Sequence, residues 1–263
     1  MPYAQDTGAD SPGGPAGGPG RAPVADRPGA PGAVVALVPA YNPDETLVAV
    51  VGGLLAAGFA EIFVVDDGSD PACRAAFDAV AARPGVRVLR HPVNRGKGRA
   101  LKTGLAAVRE AFPHAVGVVT VDADGQHRPA DVLRVVADFL AAPGALVIGA
   151  RRFAGKVPLR SRLGNALTRR IFRWVSGSAL LDTQSGLRCF PLAAVPRLLE
   201  LEGERYEYEM NVLATARRLG LPIREVPIET VYLDGNRSSH FNPLLDSMRI
   251  YSLLLRSARP RRG

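Results

Sequence analysis

The stretch "AVGVVTVDADGQH", residues 115–127, joins an apolar run to two acidic side chains. The run is rich in valine, and a short apolar run of this kind is typical of a buried strand. Asp122 and Asp124 follow it one residue apart, so on an extended segment both carboxylates project to the same side. Because like charges at close range repel each other, a positive group is needed there. The stretch therefore predicts a strand that ends at a cation.

Apolar runs of the same kind recur on both sides of this stretch. They read "VVALVP" (34–39), "EIFVVDD" (61–67), "VRVLRH" (86–91) and "ALVIGA" (145–150). Segments with helical periodicity lie between them, near 44–57, 70–82, 98–111 and 129–141. This alternation predicts an α/β fold with a mostly parallel sheet covered by helices on both faces.

Polar clusters stand where these runs stop. They are "PAYN" (39–42), "DDGSD" (66–70), "NRGKG" (94–98) and "DADGQH" (122–127). Open parallel sheets bind ligands beyond the carboxyl ends of their strands. The four clusters are therefore expected to converge on one crevice.

The first 33 residues differ in composition from the rest of the chain. They hold 15 glycines or prolines and almost no large apolar side chains, so we expect a disordered tail. No apolar core follows a basic start as in a signal peptide, and no run approaches the roughly 18 apolar residues of a spanning helix. Cys73 and Cys189 lack partners at metal spacing. Together these features predict a cytoplasmic protein that does not cross a membrane by itself.

Positive charge is concentrated in the second half of the chain. Residues 34–150 hold 11 Lys or Arg against 12 Asp or Glu, whereas residues 151–263 hold 20 against 10. The second half is therefore expected to face a phosphate, a membrane surface or a nucleic acid. A basic amphipathic helix is predicted over 158–177, and its basic face is either solvated or turned to lipid or phosphate.

The rest of the second half shows further periodic segments. Helices are predicted around 191–201 and 206–219, a strand over 222–232, and a final helix over 243–255 before the basic "RSARPRRG". Its apolar positions and basic flank would suit an anionic membrane surface.

Several chemistries are disfavoured by missing motifs. The Walker spacing, a G-x-G-x-x-G after the first strand and a G-x-S-x-G elbow are all absent from the sequence. Lys97 between two glycines at the start of a helix suits an anion instead. Two carboxylates suit Mg²⁺ or Mn²⁺, which bind one or two carboxylates together with substrate phosphates.

Six motifs in order resemble those of one enzyme family. They are "VPAYNPDETL", "VVDDGSD", "NRGKGRALKTGL", "DADGQH", "GARR" and "DTQSGLRCF". The set is similar to the inverting family 2 glycosyltransferases, and most of all to the dolichyl or polyprenyl phosphate sugar synthases, over residues 34–256. The resemblance implies the nucleotide-diphospho-sugar transferase fold (GT-A, Rossmann-like). It also implies a donor-nucleotide half (34–150), an acceptor half (151–235) and a basic C-terminal helix and tail (236–263).

The resemblance further implies which residues bind the donor. Donor-binding residues would be Pro39, Ala40, Tyr41, Asp66, Asp67, Lys97, Asp122, Ala123 and Gln126. Asp66 and Asp67 would read the nucleoside. Asp122, Asp124 and Gln126 would hold Mg²⁺ or Mn²⁺, with Asp124 coordinating it directly. Pro43 stands where relatives commonly have Glu, so a ribose contact is lost or moved to Asp44 or Glu45.

On the acceptor side the resemblance implies a second set of residues. Catalytic roles fall to Asp124, Asp182 and Arg151, and acceptor binding to Arg151, Gln184, Ser185, Arg188, Arg237 and His240. Tyr206, Glu207 and Glu209 resemble the segment near the closing acceptor loop.

These residues imply a metal-dependent transfer of a hexose from a nucleotide sugar, of GDP-mannose or UDP-glucose type, to a polyprenyl phosphate. The protein would act at the cytoplasmic face of a membrane, alone or through a membrane partner. A hydroxyl acceptor on a glycan, lipid or metabolite is the alternative, and Asp182 would then be the general base. A nucleic-acid-binding module is a third reading, but the arginine-rich segments have few aromatic residues for base stacking.

Overall fold

The computed structural model of the protein describes residues 31–151 and 180–229. Most of the predicted tail, the predicted helix over 158–177 and the predicted final helix over 243–255 lie outside these ranges.

Seven strands form one sheet in the order β3-β2-β1-β4-β6-β5-β7. They are β1 (Val34–Ala40), β2 (Ile62–Asp66), β3 (Val86–Arg90), β4 (Gly117–Thr120), β5 (Leu146–Arg151), β6 (Arg188–Pro191) and β7 (Ile223–Ile228). β1, β2, β3 and β4 pair in parallel, as do β5 and β7, whereas β6 runs antiparallel to both of its neighbours. The predicted mostly parallel sheet is confirmed.

The helices of the described residues fall close to the periodic segments of the sequence. They are α1 (Thr46–Ala56), α2 (Arg74–Ala81), α3 (Lys97–Ala111), α4 (Pro129–Ala141), α5 (Val195–Leu199) and α6 (Tyr206–Thr215). α2 begins later than predicted, because Pro71–Cys73 forms a 3-10 turn in which the Asp70 side chain accepts a hydrogen bond from Ala72 N. A capped turn of this kind is a common start to a helix.

Helices cover both faces of the sheet. Alternate residues of β1 enter opposite cores, Leu37 on one face and Val38 on the other. The first core contains buried side chains of α3, α5 and α6, and the second contains those of α1, α2 and α4. This is the two-faced packing that strands buried on both sides require.

The antiparallel strand β6 links the two halves of the chain. It lies between β4 and β5, where Thr120 pairs with Arg188. Residues 182–187, which lead into β6, are thereby brought beside the end of β4. One sheet thus presents the end of β4 and the approach to β6 at the same edge.

Candidate active site

A positive group lies beside the aspartates that follow β4, and it belongs to the chain itself. Lys97, the first residue of α3, places its Nζ 2.7 Å from Asp122 Oδ1. The same Nζ lies 2.9 Å from Oε2 of Glu209 on α6. Burial alone would lower the pKa of Lys97, but the charges of Asp122 and Glu209 raise it above its usual value. One ammonium therefore bridges the end of β4 and a helix of the second half.

The second oxygen of Asp122 is also enclosed. A Cβ added at Gly186 would lie 2.3 Å from Asp122 Oδ2, and Thr120 Oγ1 donates to the Gly186 carbonyl at 2.7 Å. His127 is buried, with Nε2 3.5 Å from Asp122 Oδ2. Burial opposes ionisation of Asp122, but Lys97 and His127 hold the pKa of this carboxyl far below its usual range. Asp122 is thus a fixed anion.

Asp124 has a different electrostatic environment. Its Oδ1 accepts a hydrogen bond from Gln126 N at 3.0 Å. Within residues 31–151 and 180–229 no Lys, Arg or His nitrogen lies at ion-pair distance from it. Burial and then the charge of Asp122 raise the pKa of Asp124. A half-buried carboxylate in this situation gains from an added cation.

The donor atoms at this edge fit a hard divalent cation. Asp122, Asp124 and Gln126 offer oxygen ligands, as Mg²⁺ and Mn²⁺ prefer. The described residues contain no cluster of three acidic, histidine or cysteine side chains suited to a metal ion. A cation at Asp124 would therefore depend on oxygens of a bound ligand for the rest of its coordination.

The loop before Lys97 is anchored by Asp67. Its Oδ1 accepts from His91 Nδ1 at 2.6 Å and from Arg95 N at 3.0 Å, and its Oδ2 accepts from Gly96 N at 2.7 Å. Asp67 is buried. Both Asp67 oxygens therefore position the loop that carries Lys97, and the nucleoside-reading role implied by the resemblance stays a prediction.

Asp66 and the residues after it connect two strand ends. Asp66 Oδ1 accepts from Ser69 N at 2.9 Å, and Ser69 Oγ accepts from Asn42 N at 2.9 Å. Asn42 has a φ of 46° and its Oδ1 accepts from Asp70 N. A left-handed backbone at Asn is maintained where its surroundings fix it. The "PAYN" and "DDGSD" clusters therefore form one rigid rim, with Tyr41 exposed on it.

Asp44, the residue suggested as a substitute ribose contact, has local partners. Its Oδ1 accepts from Thr46 N and from Thr46 Oγ1, and these bonds lower the pKa of Asp44. Thr46 Oγ1 also lies 3.0 Å from the carbonyl oxygen of Ala123. Glu45 is exposed. Asp44 thus fixes the start of α1 against the aspartate pair.

Two depressions differ in their position relative to these clusters. One of about 490 Å³ is lined by Asp66, Ser69 and Arg74, among others, at the carboxyl ends of β2 and β3. The larger, of about 890 Å³, is lined by Ala115, Val116 and Leu192 at the amino end of β4. Size alone does not locate the polar crevice, since the larger depression is remote from it.

Arg151 and the buried Asp182 form a partly buried ion pair on the predicted acceptor side. Asp182 Oδ2 accepts from Arg151 Nε at 2.6 Å, and Oδ1 accepts from Arg151 Nη2 at 3.1 Å. Burial favours the neutral acid, but Arg151 holds the pKa of Asp182 below its usual value. Glu225 Oε1 accepts from the backbone N–H groups of Leu181 and Asp182. A carboxylate engaged in this way is suited to orienting Arg151 rather than to removing a proton.

The other predicted acceptor residues differ in exposure. Gln184 is exposed, and Ser185 is buried with its Oγ 3.3 Å from Leu187 N. Arg188 is completely buried, and its guanidinium donates to three backbone carbonyls, those of Thr183, Ser185 and Glu209. Arg188 therefore ties the segment before β6 to α6, and its predicted role in acceptor binding stays a prediction. Arg237 and His240 lie outside the described residues.

Sequence reasoning missed three contributors to this edge of the sheet. Glu209 was expected near an acceptor loop, and no sequence signal pairs it with Lys97. Gly186 lies in a motif but was not selected, although a glycine beside an invading side chain is a recognisable signal. Glu225 sits in a strand where a charged residue ordinarily reads as solvent-facing.

Comparison with known proteins places this arrangement in a family. The sequence model of glycosyl transferase family 2 matches residues 35–199. The UDP-N-acetylglucosamine–dolichyl-phosphate N-acetylglucosaminyltransferase of Methanococcus voltae is 30% identical over 238 residues, which cover 83% of this chain and 94% of the relative. The undecaprenyl-phosphate mannosyltransferase of Micrococcus luteus is 31% identical over 212 residues, covering 75% and 83%.

A solved structure shares the fold. Glucosyl-3-phosphoglycerate synthase from Mycobacterium tuberculosis, in complex with Mn²⁺, UDP and glucosyl-3-phosphoglycerate, superimposes with a TM-score of 0.63 at 24% identity, covering 88% of this chain and 81% of that one. The sheet order and two-faced helix packing are accordingly those of the GT-A fold. Because the family model spans more than half of the sequence, this chain belongs to glycosyl transferase family 2.

Proposed function

We propose that this glycosyltransferase moves a hexose from a nucleotide sugar to a polyprenyl phosphate at a membrane surface. The observation that carries the proposal is the meeting of Lys97, Asp122 and Asp124 at the carboxyl end of β4. A lysine, a fixed anion and a carboxylate that gains from a cation suit the diphosphate of a sugar nucleotide. A polyprenyl phosphate acceptor is supported by two relatives, which are named as transferases to dolichyl phosphate and to undecaprenyl phosphate.

The donor would lie along the rim made by "PAYN" and "DDGSD", with its diphosphate towards Lys97. Asp124, with Asp122 and Gln126, would hold a divalent cation. When bound, such a cation neutralises negative charge on the diphosphate. The positive charge of Lys97 would also stabilise the negative charge on the departing diphosphate. This stabilisation is stronger because water is partly excluded from the site.

The acceptor would approach from the side of Arg151. A phosphate oxygen of the acceptor forms a bond to the anomeric carbon, the bond from that carbon to the diphosphate oxygen breaks, and its electron pair leaves with the nucleotide. The configuration at the anomeric carbon inverts. A phosphate monoester is already ionised near neutral pH, so Arg151 needs only to orient it, and Asp182 keeps the guanidinium in place.

A hydroxyl acceptor is the second candidate, and one observation favours it. Such an acceptor requires a carboxylate base, and Glu209 Oε2 lies in the same cluster as Asp122, 2.9 Å from Lys97. Glu209 is therefore a second candidate for this base beside Asp182, since Glu209 reaches the cluster around Asp122 whereas Asp182 is held by Arg151.

The test uses the purified full-length protein with Mn²⁺ or Mg²⁺ and a panel of UDP and GDP sugars. Polyprenyl phosphate is compared with the corresponding polyprenol. We expect a lipid-linked product from the phosphate only, and loss of at least about 100-fold in rate for Asp124→Asn. Asp138→Asn on α4, which pairs with Arg224 near the amino end of β7 and so at the opposite edge of the sheet, is the control.

Two results would contradict the proposal. Full activity of Asp124→Asn with a chelator present would reject the metal role. Transfer to the polyprenol alone, with a rate that falls at low pH as a base is protonated, would establish the hydroxyl acceptor instead.

A further inference from the structure

Lys97 makes contacts that the proposed chemistry does not require. In this structure its ammonium is shared between two carboxylates, 2.7 Å from Asp122 and 2.9 Å from Glu209, and it lies 5.8 Å from the centre of the Tyr206 ring. Its side chain is 19% exposed. An ammonium paired on two sides in a half-buried site is held strongly, because the interaction is weakly screened there.

The Lys97 ammonium is also bound to Asp122, which is one of the two carboxylates that a divalent cation would use. Gly186 and His127 enclose the other oxygen of Asp122. Of the two aspartates, only Asp124 has no basic partner among the described residues, and a cation that bound there alone would meet the positive charge of Lys97. Two positive charges a few ångströms apart in a partly buried site repel each other strongly, because water and salt screen them weakly there.

A nucleotide diphosphate changes this balance. It supplies oxygen ligands for a cation and a negative charge for the ammonium, so both positive groups gain a partner. Glu209 can keep hold of Lys97 from its other side while Asp122 is released. Metal and nucleotide should therefore bind together far better than either does alone.

We propose that Lys97 competes with the divalent cation for Asp122. When a nucleotide diphosphate binds, it draws the Lys97 ammonium away from Asp122 while Glu209 keeps its contact with Lys97. The protein therefore binds the cation together with the nucleotide and not before it. This inference rests on the proposed function for the site. It assigns Lys97 and Glu209 a role in selecting a metal–nucleotide complex over the free ion.

The experiment measures binding, not turnover. Mn²⁺ binding to the full chain is followed by the paramagnetic resonance signal of free Mn²⁺, alone and with saturating UDP or GDP. For Lys97→Met we expect binding of Mn²⁺ alone to tighten by about ten- to a hundredfold, since a nearby positive charge is removed. Binding of the Mn²⁺–nucleotide complex should weaken in the same variant. The two changes have opposite signs, which a general loss of structure does not produce.

Two variants serve as controls. Lys97→Arg keeps the charge and should leave the binding of Mn²⁺ alone weak. Lys102→Met removes another buried lysine of α3, which pairs with Glu204 at 3.5 Å and lies over the Tyr208 ring, away from the aspartates. It should leave the binding of Mn²⁺ alone unchanged. If Lys97→Met proves unstable, binding of Mn²⁺ alone is compared between K97M/E209Q and E209Q. In this pair Glu209 is replaced as well, so the loss of Lys97 does not leave the Glu209 carboxylate without its partner.

The inference is overturned if Lys97→Met binds Mn²⁺ alone no more tightly than the natural protein, or if Lys102→Met tightens it equally. The same holds if the natural protein binds Mn²⁺ as tightly without nucleotide as with it. Failure of the proposed function looks different, because the natural protein would then bind neither UDP nor GDP in the presence of Mn²⁺. The effect of Lys97 on Mn²⁺ alone would still be measurable.

Discussion

Gly186, from the second half of the chain, lies directly beside the carboxylate of Asp122. An added Cβ there would meet Asp122 Oδ2 at 2.3 Å and Asp122 Oδ1 at 2.5 Å. Real Cβ atoms do not approach so closely, so either the segment before β6 or the carboxylate must move. Asp122 cannot move freely, because Lys97 is bound to its Oδ1.

We therefore expect Gly186→Ala to lower the free energy of unfolding by about 1–3 kcal/mol. Activity should fall by up to about 100-fold, as displacements near 1 Å in a site often cause. Denaturant titration and initial rates measure the two effects. Gly144→Ala is the matched control, because nothing lies within 4 Å of an added Cβ there, and it should change stability by less than about 0.5 kcal/mol. Equal behaviour of the two variants would contradict the assigned contact.

The sequence predicted that a positive group is needed beside Asp122 and Asp124, but it did not show which residue provides that group. A metal was predicted at both aspartates, and a partner 25 residues earlier in the chain, Lys97, fills the need at Asp122. The spacing of residues in the sequence reports local geometry, whereas this ion pair depends on how α3 packs against the sheet. The pairing of Lys97 with Glu209, which lies in a third segment of the chain, could not be predicted for the same reason.

Among the elements, the strands and helices of residues 31–151 were predictable because their periodicity is strong. β6 is the exception. It has four residues and pairs antiparallel with β4 and β5, which are distant in sequence. The local sequence "SGLRCF" contains no signal that predicts these two partners. Its position decides the site, since it places the segment over 182–187 beside β4.

The segment leading into β6 is held at its start by Asp182, and this ion pair gives a pH dependence. Arg151 depresses the pKa of Asp182 in the folded protein. Its contribution to stability is therefore complete above the unfolded pKa of about 4 and is lost as the pH falls through the lower, folded pKa. Asp182→Asn should lower the free energy of unfolding by about 1.5–3 kcal/mol at pH 7, because it weakens the charge-assisted hydrogen bonds between Arg151 and this buried carboxylate.

Denaturant titration of both proteins from pH 8 to pH 2.5 tests this. The difference in unfolding free energy should stay constant down to about pH 4 and narrow below it. Asp138→Asn, which breaks an exposed pair with Arg224, should cost less than about 1 kcal/mol throughout. A difference that narrows already between pH 7 and pH 5 would contradict a depressed pKa for Asp182.

For the whole molecule, the uneven distribution of charge bears on where the enzyme works. The surplus of basic residues lies entirely after residue 150, while the sheet edge that carries Lys97 and Asp124 belongs to the first half. Among the helices that the structure describes, none has the length and apolar character needed to cross a bilayer. We propose that attraction between the basic half and an anionic lipid surface brings the proposed polyprenyl phosphate acceptor to the site.

This attraction predicts how the full chain binds vesicles. It should co-sediment with vesicles containing phosphatidylglycerol and not with pure phosphatidylcholine, and raising the salt from 0.1 to 1 M should release it, since the screening length falls from about 10 to about 3 Å. Replacing Arg259, Arg261 and Arg262 by Ser should weaken binding by up to about 1 kcal/mol for each charge. Turnover of a short-chain, water-soluble polyprenyl phosphate does not need the vesicle surface, so it should fall less than turnover of the same headgroup in vesicles. Binding to both vesicle types that is indifferent to salt would show that apolar insertion, and not charge, brings the enzyme to its acceptor.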